Sequence, residues 1–351
     1  MSKRYGILLI ACGHIGEEHI ADIYYRDNIN IVAVVDKNME TAAGFARKYG
    51  AEHYGTDYHP FLNQEVDIVI IATYTDTHYK ILCDCLAAKK HVLCEKPIAR
   101  DLETGLKFYR LVRQADTKVL IAHILRHNKS YQKIAELIQS GVIGELKVIR
   151  MVQNHHAINW ERYKRLLRDC TPLVDCGVHY IDVMQWVSQS RVCEVRGMSC
   201  KIDADSPGDN YGMMQVKLEN GCIGYYEAGW SKNTASCNCK EFVGTKGRIT
   251  LELAENRIND REEGDRILLY TSETGEYKTI NCNGKYKDMY GQLSALIRMI
   301  ETGCDCEPTI DEVFSAFYVT MEAERAIREN RTKAIDWKEV MTGTERMQRD
   351  E

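Results

Sequence analysis

The stretch that decides the fold is Gly6-Ile7-Leu8-Leu9-Ile10-Ala11-Cys12-Gly13-His14-Ile15-Gly16. Its first half is a short apolar run ending in small residues, which predicts a buried strand. Ile15 to Tyr25 then has helical spacing. Between the two, Ala11 to Gly16 matches the dinucleotide fingerprint GxGxxG at two of three glycines, with Ala11 at the first. Gly13 is expected to let the backbone approach a pyrophosphate, and Gly16 to let helix and strand pack closely. The helix start at His14 and Ile15 supplies N–H donors and a partial positive charge. Such glycines also suit a plain tight turn. The setting between a strand and a helix is what favours a dinucleotide.

The alternation continues outward from that turn. Asn28–Asp36 reads as a second strand, rich in β-branched residues. Met39–Tyr49 is a helix, with Gly50 placed to terminate it. Val66–Thr73 is a near-continuous apolar strand, the pattern of a strand buried on both faces. Thr77–Lys90, His91–Cys94, Leu102–Ala115 and Lys118–His123 repeat helix and strand. This predicts an open parallel sheet with helices on both faces, an α/β domain over residues 1–123. Asp36 ends the second strand 20 residues beyond Gly16, where an acid accepts hydrogen bonds from the adenosine ribose. A carboxylate there repels a 2′-phosphate, so NAD is favoured over NADP; Lys37 next door softens this.

From about residue 144 the pattern changes. Glu145–His155, Arg191–Ile202, Asn210–Glu219, Cys222–Lys232 and Cys239–Leu253 are strand-like and follow one another, with turns such as Glu219-Asn220-Gly221 and Thr245-Lys246-Gly247. Helices are expected at Lys129–Ser140, Val174–Ser188, Asp288–Glu301 and Ile310–Asn330. Residues 124–351 are thus expected to form an α+β domain on a large, mostly antiparallel open sheet. Helices would cover one face, and the other would be left to a ligand or a subunit.

Composition bounds the function. The 351 residues carry 51 acidic and 46 basic side chains, a net charge of −5, which argues against a nucleic-acid partner. No apolar run is long enough for a membrane span. Fourteen cysteines fall short of the roughly 8–10% that marks a disulfide scaffold, and no CxxC occurs. The start, Met1-Ser2-Lys3-Arg4-Tyr5, lacks a signal peptide's apolar core, so a reduced cytoplasmic protein is expected.

Two further groups carry chemistry. Glu95-Lys96-Pro97 follows the fourth strand, at the strand ends where open α/β sheets bind ligands. Asp175, His179 and Asp182 fall at i, i+4 and i+7 of an expected helix and would share a face, where polar groups one turn apart grip adjacent hydroxyls of a polyol. The loop Gln153–Tyr163 offers His155, Trp160 and Tyr163 for sugar stacking and hydroxyl recognition. His155 and His156 are adjacent on a strand and point oppositely, so no metal site is expected. Tyr225, Tyr226 and Trp230 are placed in core or interface packing, and Arg126, His127 and Asn128 in the domain crossover.

These pieces resemble the glucose–fructose oxidoreductase/inositol dehydrogenase/rhizopine-catabolism (Gfo/Idh/MocA) family. The resemblance rests on the fingerprint, Thr73-Tyr74-Thr75-Asp76-Thr77-His78, Glu95-Lys96-Pro97, Asp175-Cys176-Gly177-Val178-His179-Tyr180-Ile181-Asp182 and Gly244-Thr245-Lys246-Gly247. It implies a Rossmann domain plus a sheet domain that mediates homo-oligomerisation, with NAD as cofactor. Lys96, Asp175 and His179 match the family's catalytic positions. Thr73, Thr75, His78 and Glu95 join Gly13, His14, Ile15, Gly16, Asp36, Lys37 and Lys96 as cofactor-site residues. The reaction implied is hydride transfer from a secondary ring hydroxyl of a sugar, cyclitol or glycoside. His179 takes the proton, Lys96 stabilises the oxygen, and Asp175 orients the substrate or the other two side chains. Rival readings are an NAD-using glycosidase with no net redox change, a sugar-sensing regulator on the same fold, and an aromatic dihydrodiol or tetrapyrrole substrate. The family's consecutive glycines before the catalytic aspartate are replaced here by Asp169-Cys170-Thr171-Pro172-Leu173.

Overall fold

A computed structural model describes residues 3–63, 65–256 and 264–340. The chain divides into two compact units. One comprises the described residues of Met1–Ile124 with Lys287–Phe314, the other those of Leu125–Tyr286 with Ser315–Glu351. A single cut after His123 therefore misses a return of the chain into the first unit.

The first unit is built on β1 (Tyr5–Ile10), β2 (Ile29–Val35), β3 (His53–Gly55), β4 (Ile68–Ile71), β5 (His91–Cys94) and β6 (Val119–Ile121). All pairs are parallel, in the order β3-β2-β1-β4-β5-β6. The order reverses between β1 and β4, which opens a crevice at the strands' carboxyl ends. Helices α1 (His14–Ile23), α2 (Met39–Tyr49), α3 (Thr75–Ala87) and α4 (Leu102–Arg113) connect the strands. Asn38 caps α2 by accepting from Thr41 N, and Gly50 ends it at φ 71°, as its sequence predicts. The helix Met289–Thr302 adds Leu293, Leu296, Ile297 and Met299 to the core formed by Ile7, Leu9 and Ile20. That is why this late segment belongs to the first unit.

Among the described residues the second unit holds nine strands: β7 (Leu146–His156), β8 (Val192–Cys200), β9 (Tyr211–Leu218), β10 (Ile223–Ser231), β11 (Cys237–Gly244), β12 (Gly247–Glu252), β13 (Asp265–Thr271), β14 (Glu276–Cys282) and β15 (Lys333–Ala334). Their order is β14-β13-β12-β11-β7-β10-β9-β8-β15, and β7 with β10 is the one parallel pair described. Helices α5 (Lys129–Gln139), α6 (Trp160–Asp169), α7 (Pro172–Asp175) and α8 (Gly177–Ser188) accompany it. Cross-strand register sets Lys240, Met151, Tyr226 and Met214 in one row on one face. Helix α8 lies on that row. A Cβ on Gly177 would come within 3.1 Å of Met214 Cε, and Tyr180 stacks on Tyr226 with ring centroids 4.8 Å apart.

Candidate active site

The fingerprint turn is made by backbone. Ala11 sits at φ 80°, the left-handed region that suits glycine, so the alanine keeps the fingerprint's geometry at some cost. A Cβ on Gly16 would lie 2.1 Å from Ala11 O; only glycine lets α1 pack this close to the end of β1. Gly13 precedes α1 with no side-chain cap, and a Cβ built on it meets nothing within 4 Å. The start of α1 is therefore not capped by the Gly13 position, and open space lies beside it. Asp36 is fixed just after β2. It accepts from Cys12 N and from Asn38 N, both at 2.9 Å, which leaves each carboxylate oxygen a further lone pair for a ribose hydroxyl. Burial, and then the Asp36 carboxylate, pushes the Cys12 thiol up to about 12. Lys37 is exposed, as is His14, which pairs with Glu18 at 3.1 Å. These features fit NAD.

The turn after β5 holds Glu95 and Lys96. Glu95 is buried, and His19 Nε2 of α1 lies 2.8 Å from its Oε1. Burial works to raise the Glu95 carboxyl. The His19 hydrogen bond, then the charges of His19, Lys96 and His78, outweigh it and hold Glu95 below the usual carboxylate range. Its Oε2 accepts from Lys96 N at 3.4 Å. Thr73 lies two residues beyond β4 and accepts from Thr77 Oγ1 at 2.7 Å, and Thr75 is the buried first residue of α3. His78 departs from the expectation of cofactor contact. It is fully buried, with Nδ1 2.9 Å from Pro97 O and Nε2 3.1 Å from Thr73 O, so it braces two turns of the site instead.

In the second unit the predicted single helix is broken. Thr171 caps α7 and Pro172 starts it; Asp175 ends α7, and α8 begins at Gly177. Asp175 and His179 are both half-buried. Asp182, expected to share their face, is withdrawn from it. It is buried against Arg126, which donates Nε to Oδ2 and Nη2 to Oδ1, both at 2.8 Å, and stacks over Trp186. A charged group with a bidentate partner in a dry interior is no longer available to a ligand.

His155 and Tyr163 come together: His155 Nδ1 lies 3.1 Å from the Tyr163 hydroxyl, and Tyr163 packs on Trp230 at 5.7 Å. Trp160 departs from its expected role in substrate stacking. It is buried at the start of α6, and its indole N–H donates to Asp205 at 2.8 Å. The segment read as a loop, Gln153–Tyr163, is the end of β7 and the start of this helix, which Asn159 caps. His156 Nδ1 turns instead to Thr234 O. Three features escaped the sequence: the His19–Glu95 pair, the Arg126–Asp182 pair, and Lys240. Lys240 is fully buried, donates Nζ to Val152 O at 2.8 Å and to Asn238 Oδ1, and lies 4.6 Å from the Tyr180 ring centre. Burial pulls its ammonium down to about 7.

Comparison with known proteins agrees with this geometry. A family model described as an oxidoreductase family with an NAD-binding Rossmann fold matches residues 5–123, and one described as the GFO/IDH/MocA C-terminal domain matches residues 131–250. The myo-inositol 2-dehydrogenase of Thermotoga maritima is 23% identical over 336 residues, covering 93% of this chain and 98% of that protein. A levoglucosan dehydrogenase solved with NADH and levoglucosan superposes with TM-score 0.82 at 18% identity, covering 95% of this chain and 100% of the other. An Agrobacterium radiobacter oxidoreductase solved with NAD+, L-tartaric acid and magnesium superposes with TM-score 0.82 at 16% identity, covering 95% of this chain and 98% of the other. Fold and site thus define an NAD-binding oxidoreductase with a C-terminal antiparallel-sheet domain. The chain belongs to the Gfo/Idh/MocA family.

Proposed function

We propose that this oxidoreductase removes hydride from a secondary ring hydroxyl of a cyclitol, sugar or glycoside, with NAD as acceptor. The observation that carries the reading is an α1 start without a side-chain cap together with an acid fixed just after β2; the match of Lys96, Asp175 and His179 to the family's catalytic positions supports it. The similarity over nearly full length to a myo-inositol 2-dehydrogenase supports the same class. Bound NAD supplies a hydride acceptor. Gly13, His14 and Ile15 meet its phosphates through backbone, and Asp36 takes the ribose hydroxyls. His179 accepts the hydroxyl proton, a task suited to an imidazole near neutral pH. Lys96 donates to the oxygen as negative charge develops on it. Asp175 orients the substrate. Tyr163 and His155 present ring and hydroxyl surface for substrate contact.

We also propose that the partners are a small polyol and further copies of this chain, in a cytoplasmic setting. No helix among the described residues is long and apolar enough to cross a membrane. In the second unit, Met198 and Ile223 are 72% and 52% exposed. Apolar groups exposed to that degree suit a subunit contact. The function is tested by NAD reduction across inositols, hexoses, sugar acids and glycosides. NADH formed in step with consumed substrate is the expected result. Substrate turnover without NADH would replace this reading by a redox-neutral one, and binding without turnover would favour a sensor.

A further inference from the structure

The turn that presents Lys96 is held from two sides by buried histidines. His19 comes from α1, the helix that opens at the fingerprint, and is 1% exposed. His78 comes from α3 and is 0% exposed. His19 grips Glu95, the residue before Lys96; His78 meets the carbonyl of Pro97, the residue after it. The second nitrogen of His78 meets the carbonyl of Thr73, two residues beyond β4.

Each ring nitrogen of His78 faces a carbonyl oxygen, and a carbonyl only accepts. A neutral imidazole has one N–H. It satisfies one carbonyl and aims its other lone pair at the second. An imidazolium has two N–H groups and satisfies both. The charge this places indoors has a counter-charge close by, because Glu95 is held ionised in the same turn. The Lys96 ammonium and the His19 ring also act on Glu95. On the helix of His78, Asp76 and Lys80 are exposed to solvent. We propose that His78 is held as an imidazolium in a buried clamp, completed by Glu95 and His19, whose task is to position Lys96.

Each tie bears on the chemistry. Glu95 Oε2 accepts from Lys96 N. The Pro97 carbonyl, fixed by His78, sets where the chain leaves the lysine. Through His19, the helix whose start has no side-chain cap is bonded to the same turn. His19 and His78 are positioning residues. The charge state of His78 stands on unit geometry alone. Its bearing on catalysis rests on the dehydrogenase reading.

The experiment is histidine-selective nitrogen-15 labelling of the full chain, with long-range proton–nitrogen correlation from pH 6 to pH 9. His78→Gln and His19→Gln spectra assign the signals. His78 is expected to keep both ring nitrogens protonated at pH 8.5, and to lose one of them in Glu95→Gln. If His78→Gln does not fold, the parent still decides. Among its eleven histidines, at least one must stay doubly protonated at pH 8.5, and a spectrum with none overturns the clamp. With the substrate found in the NAD-reduction screen, His78→Gln should lower kcat at least tenfold and leave KM for NAD within twofold. A doubly protonated His78 with unchanged kcat in the variant overturns the positioning role and spares the dehydrogenase reading. A parent with no NAD reduction strikes that reading and leaves the charge state supported.

Discussion

The fingerprint turn and the Asp175–Asp182 segment both hold candidate site residues, one in each unit, and they are built by different means. At the turn the working groups are main-chain N–H donors, and the sequence needs small residues at the right intervals. Gly16 is required because Ala11 O lies where its Cβ would be, whereas a Cβ on Gly13 would meet nothing within 4 Å. In the Asp175–Asp182 segment the working groups are side chains, whose availability depends on partners far along the chain. Asp182 and His179 look equivalent by spacing, yet Arg126, 56 residues away, removes Asp182 from the site. Backbone chemistry is written locally, whereas side-chain chemistry is settled by tertiary neighbours.

The sharpest way to break this comparison is at Asp182. Removing one partner of a buried bidentate pair leaves an unpaired charge inside the protein. Asp182→Ala should cost about 3–5 kcal/mol of unfolding free energy. Asp175→Ala, at a half-buried position, should cost no more than about 1 kcal/mol of stability while activity falls. Denaturant unfolding of the two variants decides it; equal stability losses would erase the distinction drawn between them.

Lys240 offers a second break. It stands in a row with Met151, Tyr226 and Met214, where an ammonium is out of place. Its folded value of about 7 lies below the ordinary lysine value of 10.5, so between them the unfolded chain binds a proton that the folded chain does not. Its contribution is therefore least favourable below pH 7 and improves as pH rises through that window. Lys240→Met should raise stability by about 1–4 kcal/mol at pH 6, with a smaller gain near pH 10. A gain independent of pH would contradict the burial account.

Two smaller effects sharpen the other side. Asp36→Ala removes the acceptors offered to the ribose. It should weaken NAD by about 1.5–3 kcal/mol, with NADP affected less, as read by fluorescence titration of both cofactors. An unchanged ratio would sink the assignment of Asp36 as the reader of the 2′ position. Ala11→Gly relieves a left-handed alanine and should stabilise the first unit by about 1 kcal/mol at most. A destabilised Ala11→Gly protein would show that the turn does not strain its alanine.

The parallel sheet was legible because its strands are buried on both faces and read as apolar runs, Ile68–Ile71 among them. Strand β14 was not, since Glu276–Cys282 is exposed along most of its length and carries no alternation. Strand β3 is three residues long and gives too short a pattern. Helix α6 escaped because Trp160–Asp169 is dominated by charged residues, and only Trp160 and Leu167 are buried. Glu95-Lys96-Pro97 stood out as a motif, but its grip by His19 could not be read, because the two residues are 76 positions apart. Nothing in the charge pattern around His19 sets it apart from a surface histidine.

In the proposed function, Lys96 and His179 carry NAD-linked oxidation of a secondary alcohol. The most direct measurement is the rate of NADH formation by the parent, Lys96→Ala and His179→Ala proteins, at saturating NAD and with the best polyol substrate. The parent should form one NADH per alcohol oxidised, and each variant should lose roughly 10²–10⁴-fold in kcat while still binding NAD. Undiminished NADH formation in either variant would contradict the account.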